Sequence, residues 1–243
     1  MRKSLVSVEF NDIEYPLTYI NDGFDLQVGD TVFVEGKLEG QRGTVLFINY
    51  SFKVKVGEYK KIIGVADTKV TGQFNYLNSH FVTFDPKALP KNKVITWFKA
   101  PDIEPVEYEY GYDDEEVLLA DFSKKDVREV VLDRASNYYK NNKVRYISVK
   151  GTKGYAIVEG NEAYEVEFRY KDGKISRLVC NCPCAFTCKH EVAAMYQLRE
   201  SLDYIEKMYA REYARTDYFA AVYAPLFASM VMRSDRKGGF RLE

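Results

Sequence analysis

The chain has 243 residues, 46% of them hydrophobic and 29% charged, and a formal net charge of -1. That composition belongs to a folded globular protein and excludes a disordered chain or a disulfide scaffold. No apolar stretch is long enough to span a bilayer, and Glu9, Asp12 and Glu14 follow the basic start too closely for a signal peptide, so a cytoplasmic protein is expected. The near-neutral total hides a division into three. Residues 1–100 carry 13 Lys and Arg against 11 Asp and Glu, residues 101–121 carry nine acids and no Lys or Arg, and residues 122–243 carry 22 against 16. Two mildly basic modules around an acidic joint are expected, with domains at 1–100 and 122–243 and a linker at 101–121.

The first hundred residues read as short strands near 5–10, 13–20, 32–34, 44–48 and 52–56, separated by Gly-containing turns, which suits a small barrel or sandwich. Gly29-Asp30-Thr31-Val32-Phe33-Val34, followed by Gly40-Gln41-Arg42-Gly43-Thr44-Val45, resembles a KOW-type or related SH3-like barrel segment over about twenty-five residues; the same residues also fit an ordinary β-hairpin. The resemblance implies a loop at Lys37, Gln41 and Arg42 able to touch RNA, DNA or protein. The joint holds Pro101, Pro105, Gly111 and the acidic run. It reads as a solvated linker, or as a segment that occupies a basic surface when no ligand is present.

A helix is expected from Ser123, with Asp126 completing a capping box, Val127, Val130, Val131, Leu132 and Ala135 on its apolar face, and Asn141-Asn142 ending it. Four strands follow near 144–149, 155–159, 164–170 and 174–179. The third alternates, with Tyr164, Val166, Phe168 and Tyr170 facing one way, and Asp172-Gly173 makes the last hairpin turn. After His190 the spacing of Ala194, Leu198, Leu202, Ile205 and Tyr209 predicts a helix, and Phe219, Val222, Tyr223, Leu226, Phe227 and Met230 predict another, interrupted at Pro225. The fold class is therefore α+β: a β-rich N-terminal barrel or sandwich, a helix, a four-stranded antiparallel meander, a short knuckle and C-terminal helices.

All four cysteines lie between Cys180 and Cys188, too close together to staple a fold but well placed to surround an ion. Cys180-Asn181-Cys182 and Cys188-Lys189-His190 each offer two donors one residue apart, and the five residues between let the chain reverse. Three thiolates and an imidazole make a closed Zn2+ site, which is structural rather than catalytic because no position is left for water or substrate. Cys184 is a fifth candidate, through the second Cys-x-Cys at Cys182-Pro183-Cys184. His80 reads as an ordinary strand or loop histidine.

From about Ala135 to Arg199 the chain resembles a SWIM zinc-finger domain of bacterial or phage type. Cys180-Asn181-Cys182-Pro183, a gap, then Cys188-Lys189-His190-Glu191-Val192-Ala193-Ala194 match its pattern of Cys-x-Cys-Pro, Cys-Lys-His and a helix of small apolar residues. The resemblance covers about a quarter of the chain and makes Cys180, Cys182, Cys188 and His190 the metal ligands. It implies a module that binds DNA or protein, as in partners of helicase-like ATPases, transposases and recombination mediators. The chain has no Gly-x4-Gly-Lys-Ser/Thr loop, so it is not expected to be the ATPase, nor an enzyme of another kind. Nucleic acid, DNA foremost, is the expected ligand, through Lys174, Arg177, Lys189, Lys207, Arg211 and Arg215. Lys207, Arg211 and Arg215, four apart, would share one helix face. The alternative is an adaptor for a protein such as an ATPase or recombinase, through tyrosine-rich and apolar surfaces.

Overall fold

The computed structural model describes residues 2–55, 57–101, 109, 111, 114–124, 127–236 and 238–243, without the side chains of Ser123 and Lys124. The chain is mixed α+β and divides into two compact units. One comprises Met1–Lys69, Asn92–Glu107 and Ser229–Gly238; the other comprises Val70–Lys91, Tyr108–Ala228 and Gly239–Glu243. Residues 70–91 thus fold with the second unit, where the sequence reading kept them in an N-terminal domain ending at 100. Their strands find hydrogen-bonding partners there.

In the first unit β1 (Ser4–Phe10), β2 (Leu17–Asn21), β3 (Thr31–Val34), β4 (Gly43–Asn49) and β5 (Ile62–Val65) form a sheet in the order β2-β1-β4-β3-β5. Val6, Val8 and Phe10 point inward at every second residue of β1 and pack with Val32, Val34, Val45 and Ile62. The two edge strands approach each other where Ile20 N–H donates to Lys60 O at 2.9 Å, which curls the sheet toward a barrel. Gly43 is required at the crossing: a β-carbon there would lie 2.4 Å from Val8 Cγ1. The expected strand at 52–56 is not formed over its described residues, 52–55. The strand is instead Ile62–Val65, because β3 offers that segment a partner; alternation without a partner makes no strand.

The second unit is built on a nine-stranded sheet, ordered β14-β6-β7-β13-β9-β10-β11-β12-β8. Its strands are β6 (Gly72–Leu77), β7 (His80–Thr83), β8 (Val117–Leu118), β9 (Val144–Lys150), β10 (Lys153–Glu159), β11 (Ala163–Lys171), β12 (Lys174–Cys180), β13 (Tyr218–Tyr223) and β14 (Phe240–Leu242). The expected meander is β9 to β12, each pair antiparallel. Asp172 and Gly173 both have positive φ, 50° and 76°, as a two-residue hairpin turn requires. One face of the sheet carries Val144, Ile147, Val149, Ala156, Val158, Val166, Phe168 and Phe219 against α2 (Glu129–Lys140) and α3 (Lys189–Met208). The single turn α1 (Lys91–Val94) precedes them in the chain.

Four expectations change. Tyr218–Tyr223 is not helical: β13 is a central strand between β7 and β9, with Phe219 to Val222 fully buried. A short apolar run buried on both faces cannot be told from a helix by periodicity alone. Helix begins again only at α5 (Ala224–Phe227), with Pro225 in its first turn. The α2 helix starts at Glu129 rather than Ser123, after a 3-10 stretch at Leu119–Lys124 that buries Leu119 and Phe122; the expected Ser123–Asp126 capping box lies outside the described residues. The helix after His190 stops at Tyr209, whose φ of -136° breaks it, and α4 (Ala210–Thr216) is a separate helix. Among the described residues no helix is long and apolar enough to cross a membrane.

Candidate metal centre

The centre sits where β12 hands the chain to α3. Cys180 is the last residue of β12. Asn181 extends the sheet by one step beyond it: its N–H donates to Glu165 O at 3.1 Å and its side-chain oxygen accepts from Glu165 N–H at 2.8 Å. The chain then turns inward at buried Cys182 and outward through exposed Pro183, Cys184, Ala185 and Phe186, and returns at buried Cys188. Cys188 is the N-cap of α3. Its sulfur accepts from Glu191 N–H at 3.4 Å while Glu191 Oε2 accepts from Cys188 N–H at 2.8 Å. This is a capping box with cysteine in the place of serine. It fixes His190 in the first helical turn, facing the knuckle.

One donor atom each from Cys180, Cys182, Cys188 and His190 lies within 4.8 Å of every other. Cys180 Sγ and His190 Nδ1 are 3.8 Å apart. A tetrahedron with zinc–sulfur bonds of about 2.3 Å has edges of about 3.8 Å, so the cluster is of the size a zinc ion needs. His190 Nε2 is buried and has no hydrogen-bond partner among the described residues. Tyr164 stacks on the imidazole at 4.1 Å and 16°, and Tyr138 closes a second side at 5.5 Å. The ring is thus held between two aromatic walls, with Cys180 Sγ at its Nδ1.

Burial helps to hold the metal-free donors Cys182, Cys188 and His190 neutral. Burial pushes the Cys182 thiol up to about 12, with its neighbour Cys188 adding to the rise. The Cys188 thiol is also raised, by its contact with Cys180 and by burial. Burial lowers His190 to about 4, with Lys189 adding a smaller push in the same direction. At neutral pH without metal the imidazole is therefore a free base, ready to ligate, and these two thiols hold their protons. A bound dication reverses the thiol preference and releases those protons, so metal affinity rises with pH through the thiols and not through His190.

Cys184 stands exposed outside the cluster. Cys184→Ser is expected to keep one zinc per chain by elemental analysis, and Cys180→Ser to lose it. The reverse pattern would reassign the site.

The six expected nucleic-acid residues do not form one patch. Lys189 opens α3 at the metal end, its ammonium 4.7 Å over the Tyr138 ring. Lys207 closes the same 20-residue helix, about 27 Å away at 1.5 Å per residue. Arg211 and Arg215 belong to α4, beyond the break, so the expected stripe with Lys207 on one helix does not exist. Lys174 and Arg177 are bound to acids of the joint: Lys174 Nζ to Glu116 at 2.8 Å and Arg177 Nε to Asp114 at 2.7 Å. His80 is buried, with Nε2 3.0 Å from Val144 O, as an ordinary strand histidine should be.

Two features escaped the sequence reading. The capping role of Glu191 was legible in Cys188-x-x-Glu191, once cysteine is allowed the part of serine. The aromatic walls at Tyr138 and Tyr164 come from a helix and a strand that only the fold brings together. The class these observations define is an α+β protein with a closed Cys3His candidate metal centre at a strand–helix junction. No family model matches the chain, and comparisons with curated proteins and with solved structures give no match.

Proposed function

We propose that the chain is a zinc-stabilised accessory protein that binds nucleic acid, DNA in the first place, and that its metal is structural. The observation that carries the structural role is the closed donor set, three buried members and one half-buried, all within 4.8 Å. Four protein donors leave a zinc ion no open position, so the ion supplies cohesion rather than hydrolysis. Cys180, Cys182, Cys188 and His190 would hold it. The match of Cys180-Asn181-Cys182-Pro183 and Cys188-Lys189-His190 to the SWIM pattern supports the nucleic-acid reading, as does the cationic excess of residues 122–243.

The test is a titration of the zinc-loaded full chain with duplex and single-stranded DNA at low and moderate salt. Phosphate contacts release counterions, so log affinity is expected to fall linearly with log salt, by about 0.9 per contact on duplex. Binding that ignores salt, or none to either form of DNA, contradicts the proposal and leaves the adaptor role.

A further inference from the structure

Two acids of the joint, Asp114 and Glu116, lie against a part of the second unit where exposed cations cluster. At the hairpin end of the sheet, opposite the metal, one register row crosses three strands: Lys150 of β9 pairs with Lys153 of β10, which pairs with Arg169 of β11. All three are exposed, with no ion pair among the described residues. Neighbouring strands are about 4.8 Å apart, so the three cations line about 10 Å of the sheet edge to edge. The next row continues the patch, with Lys171 opposite Lys174. Residues two apart on a strand share a face, which puts Arg169 and Lys171 together. The face is the one opposite Phe168 and Tyr170, away from α2 and α3.

β8 reaches this edge and pairs with β12 at Lys174 and Ile175. It brings Glu116 onto Lys174 and Asp114 onto Arg177. Glu116 is held below the usual carboxylate range by Lys174 first, then by Lys171 and Arg169, so it sits in the field of three cations. Arg177 is held out of the regular strand. Between the pairs Arg169–Ser176 and Glu167–Val179, β12 has two residues against one, and Arg177 takes the extra place with φ +52°. A bulge re-aims a side chain, and a left-handed arginine where glycine would be unstrained costs free energy at a site that uses it. Both ion pairs are solvent-exposed, and such pairs are weak and sensitive to salt.

We infer that the surface formed by Lys150, Lys153, Arg169, Lys171, Lys174 and Arg177 is the phosphate-binding face for nucleic acid, and that the segment Asp114–Glu116 covers part of it as a displaceable anion. This rests on the nucleic-acid reading above and adds the face and its control. The chain's own carboxylates show what chemistry the face accepts. A polyanion with more charges displaces them, and the two cations they occupy join the four left open.

The experiment uses the zinc-loaded full chain and duplex DNA, with the salt slope read between about 50 mM and about 200 mM. D114N/E116Q is expected to bind about tenfold more tightly at the lower salt. Its slope should steepen by about 0.9 for each cation released, Lys174 from Glu116 first. K153E/R169E is expected to lose about 1.8 of the wild-type slope, and the milder K153Q/R169Q is the second variant should charge reversal disturb folding. Each variant must keep wild-type zinc. Salt-sensitive binding by wild type that neither pair of substitutions changes would overturn this face while leaving the nucleic-acid reading standing. Absence of binding by both wild type and D114N/E116Q would overturn the two together.

Discussion

Cys188→Ser is expected to abolish zinc binding and to unfold the second unit around the knuckle, the largest effect of any single substitution in this chain. Two roles meet at that sulfur. It is one of the four donors, and it caps α3 by accepting Glu191 N–H. Serine keeps the cap and loses the metal, so the variant separates the two. Structural zinc contributes about 10–16 kcal/mol of apparent binding free energy in finger peptides at neutral pH, whereas a cap is worth about 1 kcal/mol. Thermal unfolding followed by circular dichroism should show the same loss in Cys188→Ser as in wild type treated with chelator. The β1–β5 unit, with its own core, should stay folded. If chelator leaves the whole unfolding transition in place, the metal is not structural.

The second large effect is expected from Gly154→Val, far from the metal. Gly154 lies on the core face of β10, directly opposite Phe168 of β11. A β-carbon there would meet the Phe168 ring at 1.9 Å, a distance no side chain tolerates. Phe168 is itself buried against the helices, so the ring has nowhere to move without displacing the packing of α3. Overpacking of a tight core costs about 1–3 kcal/mol, and the top of that range or beyond is expected here. Denaturant unfolding measures it. Gly154→Val combined with Phe168→Ala should recover part of the loss, because the added methyls fill the space the ring vacates. No recovery would mean that the glycine serves the backbone and not the ring.

Local signals were legible wherever the partner of a segment was close in sequence. The meander β9–β12 could be read because alternation, the Asp172-Gly173 turn and short connections all agreed. The four metal donors could be read because zinc chemistry narrows residue type and spacing together. What the sequence withheld depends on distant pairing. Residues 70–83 and Tyr218–Tyr223 are neighbours in one sheet, yet more than a hundred residues separate them, and nothing in either run names the other. The apolar run at β13 matched a helical period by coincidence. The placement of charge was hidden for a similar reason. Lys174 and Arg177 are near Cys180 in sequence, but an extended strand of seven residues carries Lys174 about 20 Å from the metal. Lys150 and Lys153 count among the cations near the finger in sequence, but Arg169 joins them only through strand register. The acidic joint reads as a possible cover for a basic surface, and two of its described residues, Asp114 and Glu116, pair with Arg177 and Lys174.

Zinc K-edge X-ray absorption on the purified full chain tests the central claim most directly, since it counts donors by element around the ion. The arrangement of Cys180, Cys182, Cys188 and His190 predicts a first shell of three sulfurs at about 2.3 Å and one nitrogen at about 2.0 Å, with no water. A shell of four sulfurs would place Cys184 in the site instead of His190. One with a light atom beyond the imidazole would mean an open position, and either result contradicts the closed Cys3His centre on which this account is built.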